Sequence, residues 1–216
     1  SATGSLAERI AQTIFQAITD TDPDVVLDLH NDWNRSIPYA VLDPPTENGI
    51  TAADQRAAEF AAASGFLVVA EQNPLRRTLS HSLLRRDVPA VTIELGESFV
   101  VNETNVEFGV RAIMGVLAEL GIVDTGEPFS FPLPAGLPDK AQLTYSQATS
   151  PSTSGIIRLL VRPGSRVRKG QAVARIVNAF GRLQETLTAP HDAIVLGLAD
   201  SSVAYPGATV IAFALT

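Results

Sequence analysis

The stretch Val-Val-Leu-Asp-Leu-His at residues 25–30 decides the fold class of this chain. Its short β-branched apolar run is typical of a strand buried inside a sheet. Upstream, Ser5 and Glu8 form the pattern of a capping box and predict a helix, which Asp-Pro-Asp at 22–24 ends. The apolar residues of this helix recur at i+4 spacing and predict one buried face: Leu6, Ile10, Ile14 and Ile18.

Helices and apolar strands alternate in the same way as far as residue 123. The predicted helices span 51–64, 75–86 and 104–120, and the predicted strands span 66–70 and 90–95. Pro74 predicts the start of the second of these helices, and Thr104 with Glu107 predicts a capping box for the third. The predicted buried face of the third consists of Val106, Val110, Ile113, Leu117 and Leu120. This alternation predicts an α/β layer architecture for residues 1–123.

The character of the sequence changes after residue 123. Residues 124–140 contain four prolines and predict a linker or an extended crossing. From residue 141 to 216, short alternating runs are separated by glycine-containing turns, and residues 161–167 are echoed by residues 203–210. Related hairpin units of this kind predict a small all-β barrel-like sandwich as a second domain.

The second domain resembles the lipoyl/biotinyl barrel-sandwich fold, whose carriers hold a modified lysine at an exposed hairpin tip. Here Lys169 lies in a turn before a strand, and the tip region 178–182 contains no lysine. The sequence therefore favours a structural domain that covers or shapes a neighbouring site over a covalent carrier.

Composition excludes several classes of function. The formal net charge of −7 argues against a nucleic-acid binder and, less strongly, against binding to anionic membranes. With no cysteine, the chain cannot form disulfides or thiolate metal sites, so any metal must be held by His and carboxylates. No signal peptide and no apolar run of about 18 residues is visible, which predicts a cytoplasmic protein. The lack of an initiator Met suggests that the natural beginning lies upstream.

Asp28, His30 and Glu94 are the candidate site residues. His30 ends the first predicted strand, and ligands of open α/β sheets gather at the carboxyl ends of strands. Asp28 points to the same side of that strand and can orient the imidazole, although the pair alone is also compatible with a surface histidine. Glu94 lies in an apolar strand, so it either faces a site as a general base or pairs with Arg85 or Arg86.

The remaining polar and aromatic residues give weaker indications. We interpret His81 as a helix-surface residue, since no nucleophile elbow accompanies it, and His191 as a solvated turn residue. Trp33 and Tyr39 either line a pocket or pack under the loop that follows His30.

In order along the chain, the Gly-Ser-Leu helix at 4–11, Asp-Leu-His at 28–30 and Val-Thr-Ile-Glu-Leu-Gly at 91–96 precede the β domain. This ordered set resembles the succinylglutamate desuccinylase/aspartoacylase family of zinc-carboxypeptidase-like hydrolases. The resemblance covers essentially the whole chain and implies a mixed sheet flanked by helices. It also implies that His30 is a zinc ligand and that Glu94 activates the water that attacks the amide of a small N-acyl amino acid.

The family's other zinc ligands come from a His-x-x-Glu pair, and none of the three histidines here begins one. The family places that pair, with an Asn-Arg pair that binds the substrate carboxylate, upstream of the first helix. Asn34-Arg35 follows His30, so the substrate role is not carried over to it. We therefore expect the chain as given to be inactive unless an upstream segment supplies the ligands.

Two alternative functions stay open at this point. A carboxypeptidase that acts on peptides would use the same metal chemistry, and a non-catalytic binding module would keep the fold without the metal. The acyl group is also open, and a homo-oligomer is compatible with the sequence.

Overall fold

The structure, a computed structural model, describes residues 3–45, 49–72, 78–133, 142–199 and 201–216. Four helices lie in its first half: α1 (Leu6–Thr19), α2 (Ala52–Ala63), α3 (Leu79–Leu84) and α4 (Glu103–Glu119). The strands of this half are β1 (Val26–His30), β2 (Arg35–Ser36), β3 (Tyr39–Leu42), β4 (Leu67–Ala70) and β5 (Ala90–Glu94). No helix within the described ranges is both long enough and apolar enough to cross a membrane.

The β half contains β6 (Gln142–Thr149), β7 (Gly155–Leu159), β8 (Arg166–Val167), β9 (Ala172–Val177), β10 (Leu183–Thr188), β11 (Ala193–Leu198), β12 (Val203–Ala204) and β13 (Ile211–Leu215). A large mixed sheet has the order β1-β5-β3-β4-β6-β13-β11-β2, with β8 also paired to β11. A second sheet has the order β10-β9-β7-β12. The predicted fold class, a mixed sheet flanked by helices followed by an all-β part, is confirmed.

Strand β1 differs from its prediction as a buried strand. It pairs in parallel with β5 and ends the described order of the large sheet. None of its residues is fully buried, and Leu29 is exposed. The apolar sequence correctly predicts the strand, but burial depends on the neighbours that the sheet provides.

The predicted apolar faces of two helices are only partly buried. In α1, Phe15 and Ile18 pack against the core, whereas Leu6, Ile10 and Ile14 are exposed. In α4 the buried residues are instead Gly109, Ala112 and Val116, and two residues of the predicted buried face, Val106 and Val110, are exposed. The i+4 spacing identified both helices correctly but placed the buried stripe of α4 wrongly.

Two predicted helix starts also need correction. Asn102, not Thr104, caps α4, and its side-chain oxygen accepts hydrogen bonds from the backbone N–H groups of Thr104 and Asn105. Helix α3 begins at Leu79, because Thr78 has an extended backbone and its hydroxyl caps the helix. The predicted start at Pro74 lies outside the described residues.

The β half encloses a separate core between its two sheets, in which Val173, Ile176, Val195 and Phe213 are fully buried. The internal repeat corresponds to two Pro-Gly turns. In the first, Ser165 N–H donates to Arg162 O, and the same bond joins Ala208 to Tyr205 in the second. Both turn glycines, at positions 164 and 207, have φ of +80°, as a turn with Gly at its third position requires.

The two halves share one hydrogen-bonded sheet. Strand β6, which opens the β half, pairs in parallel with β4, and β2 pairs with β11. The described part of the predicted linker, 124–133, forms no helix or strand, and its Phe129 and Phe131 pack against Phe66 and Phe108. It is therefore an extended crossing that is fixed to the α/β half. The division at 123 and 141 stays a prediction.

Candidate active site

The register of three neighbouring strands aligns the candidate site residues in one row. His30 is paired with Glu94 across β1 and β5, and Glu94 is paired with Tyr39 across β5 and β3. Directly paired residues of adjacent strands point to the same face of a sheet. The structure therefore brings His30 and Glu94 together, as the sequence predicted.

Asp28 holds the imidazole of His30 from one side. His30 Nε2 lies 3.1 Å from Asp28 Oδ1, and His30 Nδ1 faces Glu94 Oε1 at 3.9 Å, beyond hydrogen-bond distance. The His30 side chain is 51% exposed. A carboxylate that engages one imidazole nitrogen orients the ring and leaves the other nitrogen available to a ligand.

Glu94 is a buried carboxyl group, and no ion pair among the described residues joins it to a lysine or an arginine. Burial, together with the negative charges of Asp32 and Asp28, raises its pKa to about 8. Its Oε2 has no hydrogen-bond partner among the described residues. The alternative of an ion pair with Arg85 is not what the structure shows, because Arg85 pairs with Asp54 at 3.5 Å.

The loops that follow β1 and β5 are joined by backbone hydrogen bonds. Leu95 N–H donates to His30 O at 2.8 Å, Asp32 N–H donates to Gly96 O at 3.1 Å, and Ser98 N–H donates to Trp33 O at 2.8 Å. These bonds extend the pairing of the two strands past their ends. They fix the backbone of His30 relative to that of Glu94.

Asp32, Tyr39 and Tyr145 surround the loop that follows β1; the sequence left two options for Tyr39 and did not single out Asp32 or Tyr145. Asp32 Oδ2 accepts a hydrogen bond from the buried Tyr39 hydroxyl at 2.6 Å. Burial raises the pKa of Tyr39 well above its usual value and that of Tyr145 to about 12, so both phenols are neutral at physiological pH. The two rings stack with centroids 6.2 Å apart. The one sequence signal for Asp32 was its position two residues after His30.

Trp33 also connects the site to the β half. It has a φ of +60° and lines a cavity of about 210 Å³ with Val203, Tyr205 and other residues of the β half.

The other two histidines lie outside the candidate site. His81 is half-buried in α3, and His191 is exposed in a turn.

The described residues supply only part of a metal site. Across the described ranges, no group of three His, Cys, Asp or Glu side chains is arranged to hold a metal ion. The available Nδ1 of His30 and the orphaned buried oxygen of Glu94 fit a cation nearby, but a single imidazole does not complete a zinc site. Further ligands would have to come from outside the described residues.

Comparison with solved structures shows the same fold over nearly the whole chain. The ectoine utilization protein EutE (DoeB) from Ruegeria pomeroyi, in its apo form, is 17% identical with a TM-score of 0.75; the match covers 99% of this chain and 67% of that one. A succinylglutamatedesuccinylase/aspartoacylase from Rhodobacter sphaeroides is 20% identical with a TM-score of 0.77, covering 99% of this chain and 64% of that one. An aspartoacylase family protein from Mesorhizobium loti is 18% identical with a TM-score of 0.73, covering 100% and 65%.

This chain therefore spans about two thirds of the length of those structures. No curated protein matches it in sequence. The sequence model of the succinylglutamate desuccinylase/aspartoacylase catalytic domain matches residues 1–120, more than half of the chain. The chain belongs to the succinylglutamate desuccinylase/aspartoacylase family.

Proposed function

We propose that the protein hydrolyses the amide bond of a small N-acyl amino acid with the help of a zinc ion, for which His30 is one ligand. The observation that carries this proposal is the alignment of His30 and Glu94 across β1 and β5, with Nδ1 facing Oε1 at 3.9 Å. Membership of a hydrolase family supports the deacylase type of reaction.

Asp28, His30 and Glu94 each have a definite task in this reaction. Asp28 holds His30 Nε2 and so keeps Nδ1 directed at the space beside Glu94. A zinc ion, which His30 would help to hold, would supply Lewis acidity at the amide carbonyl. Glu94 Oε1 accepts a proton from the water as the water oxygen bonds to the carbonyl carbon. It delivers this proton to the leaving nitrogen as the C–N bond breaks, and the resulting acid passes its own proton to the amine, which yields a carboxylate and an ammonium group.

The raised pKa of Glu94 suits this task. A carboxyl group with a pKa of about 8 is mostly protonated at neutral pH, but a nearby cation favours its ionised form. Once ionised, the carboxylate can accept a proton from the attacking water, as a general base requires.

The test compares variants of the natural polypeptide at its full length, with zinc added. We expect Glu94→Gln to lower kcat by about 10²–10⁴-fold because it removes the proton acceptor. We expect His30→Ala to lower both zinc affinity and kcat. The matched controls are Glu127→Gln and His191→Ala, since both residues are exposed and neither belongs to the row. Hydrolysis that survives Glu94→Gln unchanged would refute the proposal.

A non-catalytic binding module is the second candidate, because the described residues include only part of a zinc site. It predicts that the full-length wild-type protein binds N-acyl amino acids without cleaving them. Peptide substrates in the same assay separate a carboxypeptidase from a deacylase. A cytoplasmic location and self-association stay predictions.

A further inference from the structure

We infer that Asp32 is a positioning residue for the site: held by Tyr39, its carboxylate fixes the turn after His30 and so sets the placement of His30 against Glu94. The inference rests on the proposed function, because it concerns the geometry that the proposed hydrolysis needs.

The carboxylate of Asp32 is bound at both oxygens. Oδ1 accepts the backbone N–H of Trp33 at 2.9 Å, and Oδ2 accepts the Tyr39 hydroxyl at 2.6 Å. A hydroxyl that donates to a carboxylate at this distance makes a strong, charge-assisted hydrogen bond. Tyr39 is only 1% exposed, so water cannot replace Asp32 as its partner without opening the core.

The backbone of Asp32 extends the same support to the neighbouring loop. Its N–H donates to Gly96 O at 3.1 Å, two residues after Glu94, and its carbonyl accepts the Ser36 hydroxyl at 2.5 Å. Asp32 therefore connects the turn after β1 with the loop after β5. His30 and Glu94 are the residues at which those two strands end.

Tyr39 is an effective anchor because of its place in the sheet. It is the strand partner of Glu94 across β3 and β5, and its ring stacks on Tyr145 of β6. The sheet thus fixes the backbone and the ring of Tyr39. Its hydroxyl reaches Asp32 in the turn that follows His30. The hydrogen bond between Tyr39 and Asp32 therefore holds the turn next to His30, the proposed zinc ligand, in place.

The natural full-length protein tests the inference with Asp32→Ala, Tyr39→Phe and the double variant. Residues that position a metal ligand typically contribute 10–100-fold in metal affinity or activity. We expect each single change to lower kcat by about that factor, with KM nearly unchanged, and to weaken zinc binding in a chelator competition assay. Because Asp32→Ala already removes the acceptor of the Tyr39 hydroxyl, the double variant should lose no more than Asp32→Ala alone.

Asp124→Ala is the matched control, since its side chain is exposed and does not belong to the row. Tyr39→Phe keeps the stacked ring, so it separates positioning from folding even if Asp32→Ala loses stability. An active wild type whose two single variants match the control in kcat and zinc affinity overturns this inference alone. A rise in KM as large as the fall in kcat also overturns it. So does a double variant whose loss in kcat is the sum of the two single losses, expressed as free energies. A wild type that neither hydrolyses nor binds zinc overturns the proposed function instead.

Discussion

At the scale of single residues, Glu94 is placed where an ionised carboxylate is costly. It is 9% exposed and lies near Asp28 and Asp32, and these negative charges add to the cost of burial. The half-exposed imidazole of His30 faces it, with Nδ1 3.9 Å from Glu94 Oε1. Such a strongly perturbed carboxyl group in a row of polar side chains is typical of a functional site.

This arrangement predicts how the stability of the metal-free chain depends on pH. Glu94 keeps its proton up to about pH 8 when folded but loses it near its ordinary pKa of 4.5 when unfolded. The folded state therefore binds more protons in this window, and the free energy of unfolding should fall as the pH rises through it, by about 1.4 kcal/mol per pH unit at most. Urea unfolding of wild type and Glu94→Gln at pH 5 to 9 measures the difference. Parallel curves for the two proteins would contradict a raised pKa for Glu94.

The sequence predicted the site residues that lie in recognisable motifs, but not the residues that surround them. Asp28, His30 and Glu94 follow from strand ends and from a costly acid in an apolar strand, and the structure brings them together. Asp32 and Tyr145 were not foreseen, because their role depends on which strands become neighbours. For Tyr39, the sequence left two options, and the structure shows that it packs in the core.

At the scale of elements, the start of α4 shows how capping depends on the loop before it. Asn102 caps the helix and also donates to Glu97 Oε2 at 3.2 Å, so the loop after β5 and the helix are fixed together. The sequence pattern at Thr104 fits a capping box equally well. The direction in which the preceding loop approaches α4 decides whether Asn102 or Thr104 is the N-cap. The local sequence pattern does not encode this direction.

Two substitutions test which of these two residues is the N-cap of α4. We expect Asn102→Ala to lower the free energy of unfolding by about 1 kcal/mol, because two helical N–H groups lose their acceptor. Thr104→Ala, at an exposed helical position, should change it by less than about 0.5 kcal/mol. Urea unfolding of the two variants measures both effects, and a larger loss for Thr104→Ala would reverse the assignment.

The contact between β11 and the turn after β1 gives a second prediction for the elements. A Cβ at Gly197 would lie 2.3 Å from Cδ1 of Trp33, so the indole packs directly on this strand. Gly197→Ala should destabilise the protein by about 1–3 kcal/mol and displace the indole. Trp33 is the only tryptophan, so its fluorescence emission reports the displacement. An unchanged emission maximum together with unchanged stability would refute this packing.

The elements themselves were largely predictable, whereas their buried faces were not. Periodicity and turn residues located every described helix and the strands β1, β4 and β5, because those signals are local. The exposure of Leu6, Ile10 and Ile14 could not be foreseen, since burial of a helix face depends on what packs against it.

At the scale of the whole molecule, the large sheet makes the α/β half and the β half one hydrogen-bonded unit. Strand β6 is bonded on one edge to β4 and on the other to β13. We therefore expect urea unfolding in a single transition, with the helical circular dichroism signal of the α/β half and the Trp33 fluorescence changing together. Two separated transitions would show that the halves unfold independently.

The proposed hydrolysis requires a zinc ion beside the row of His30 and Glu94. A crystal structure of the full-length protein with zinc, with anomalous diffraction measured at the zinc edge, tests this most directly. We expect one peak about 2.0–2.1 Å from His30 Nδ1, on the side that faces Glu94. A zinc peak away from His30, or none at saturating zinc, would contradict it.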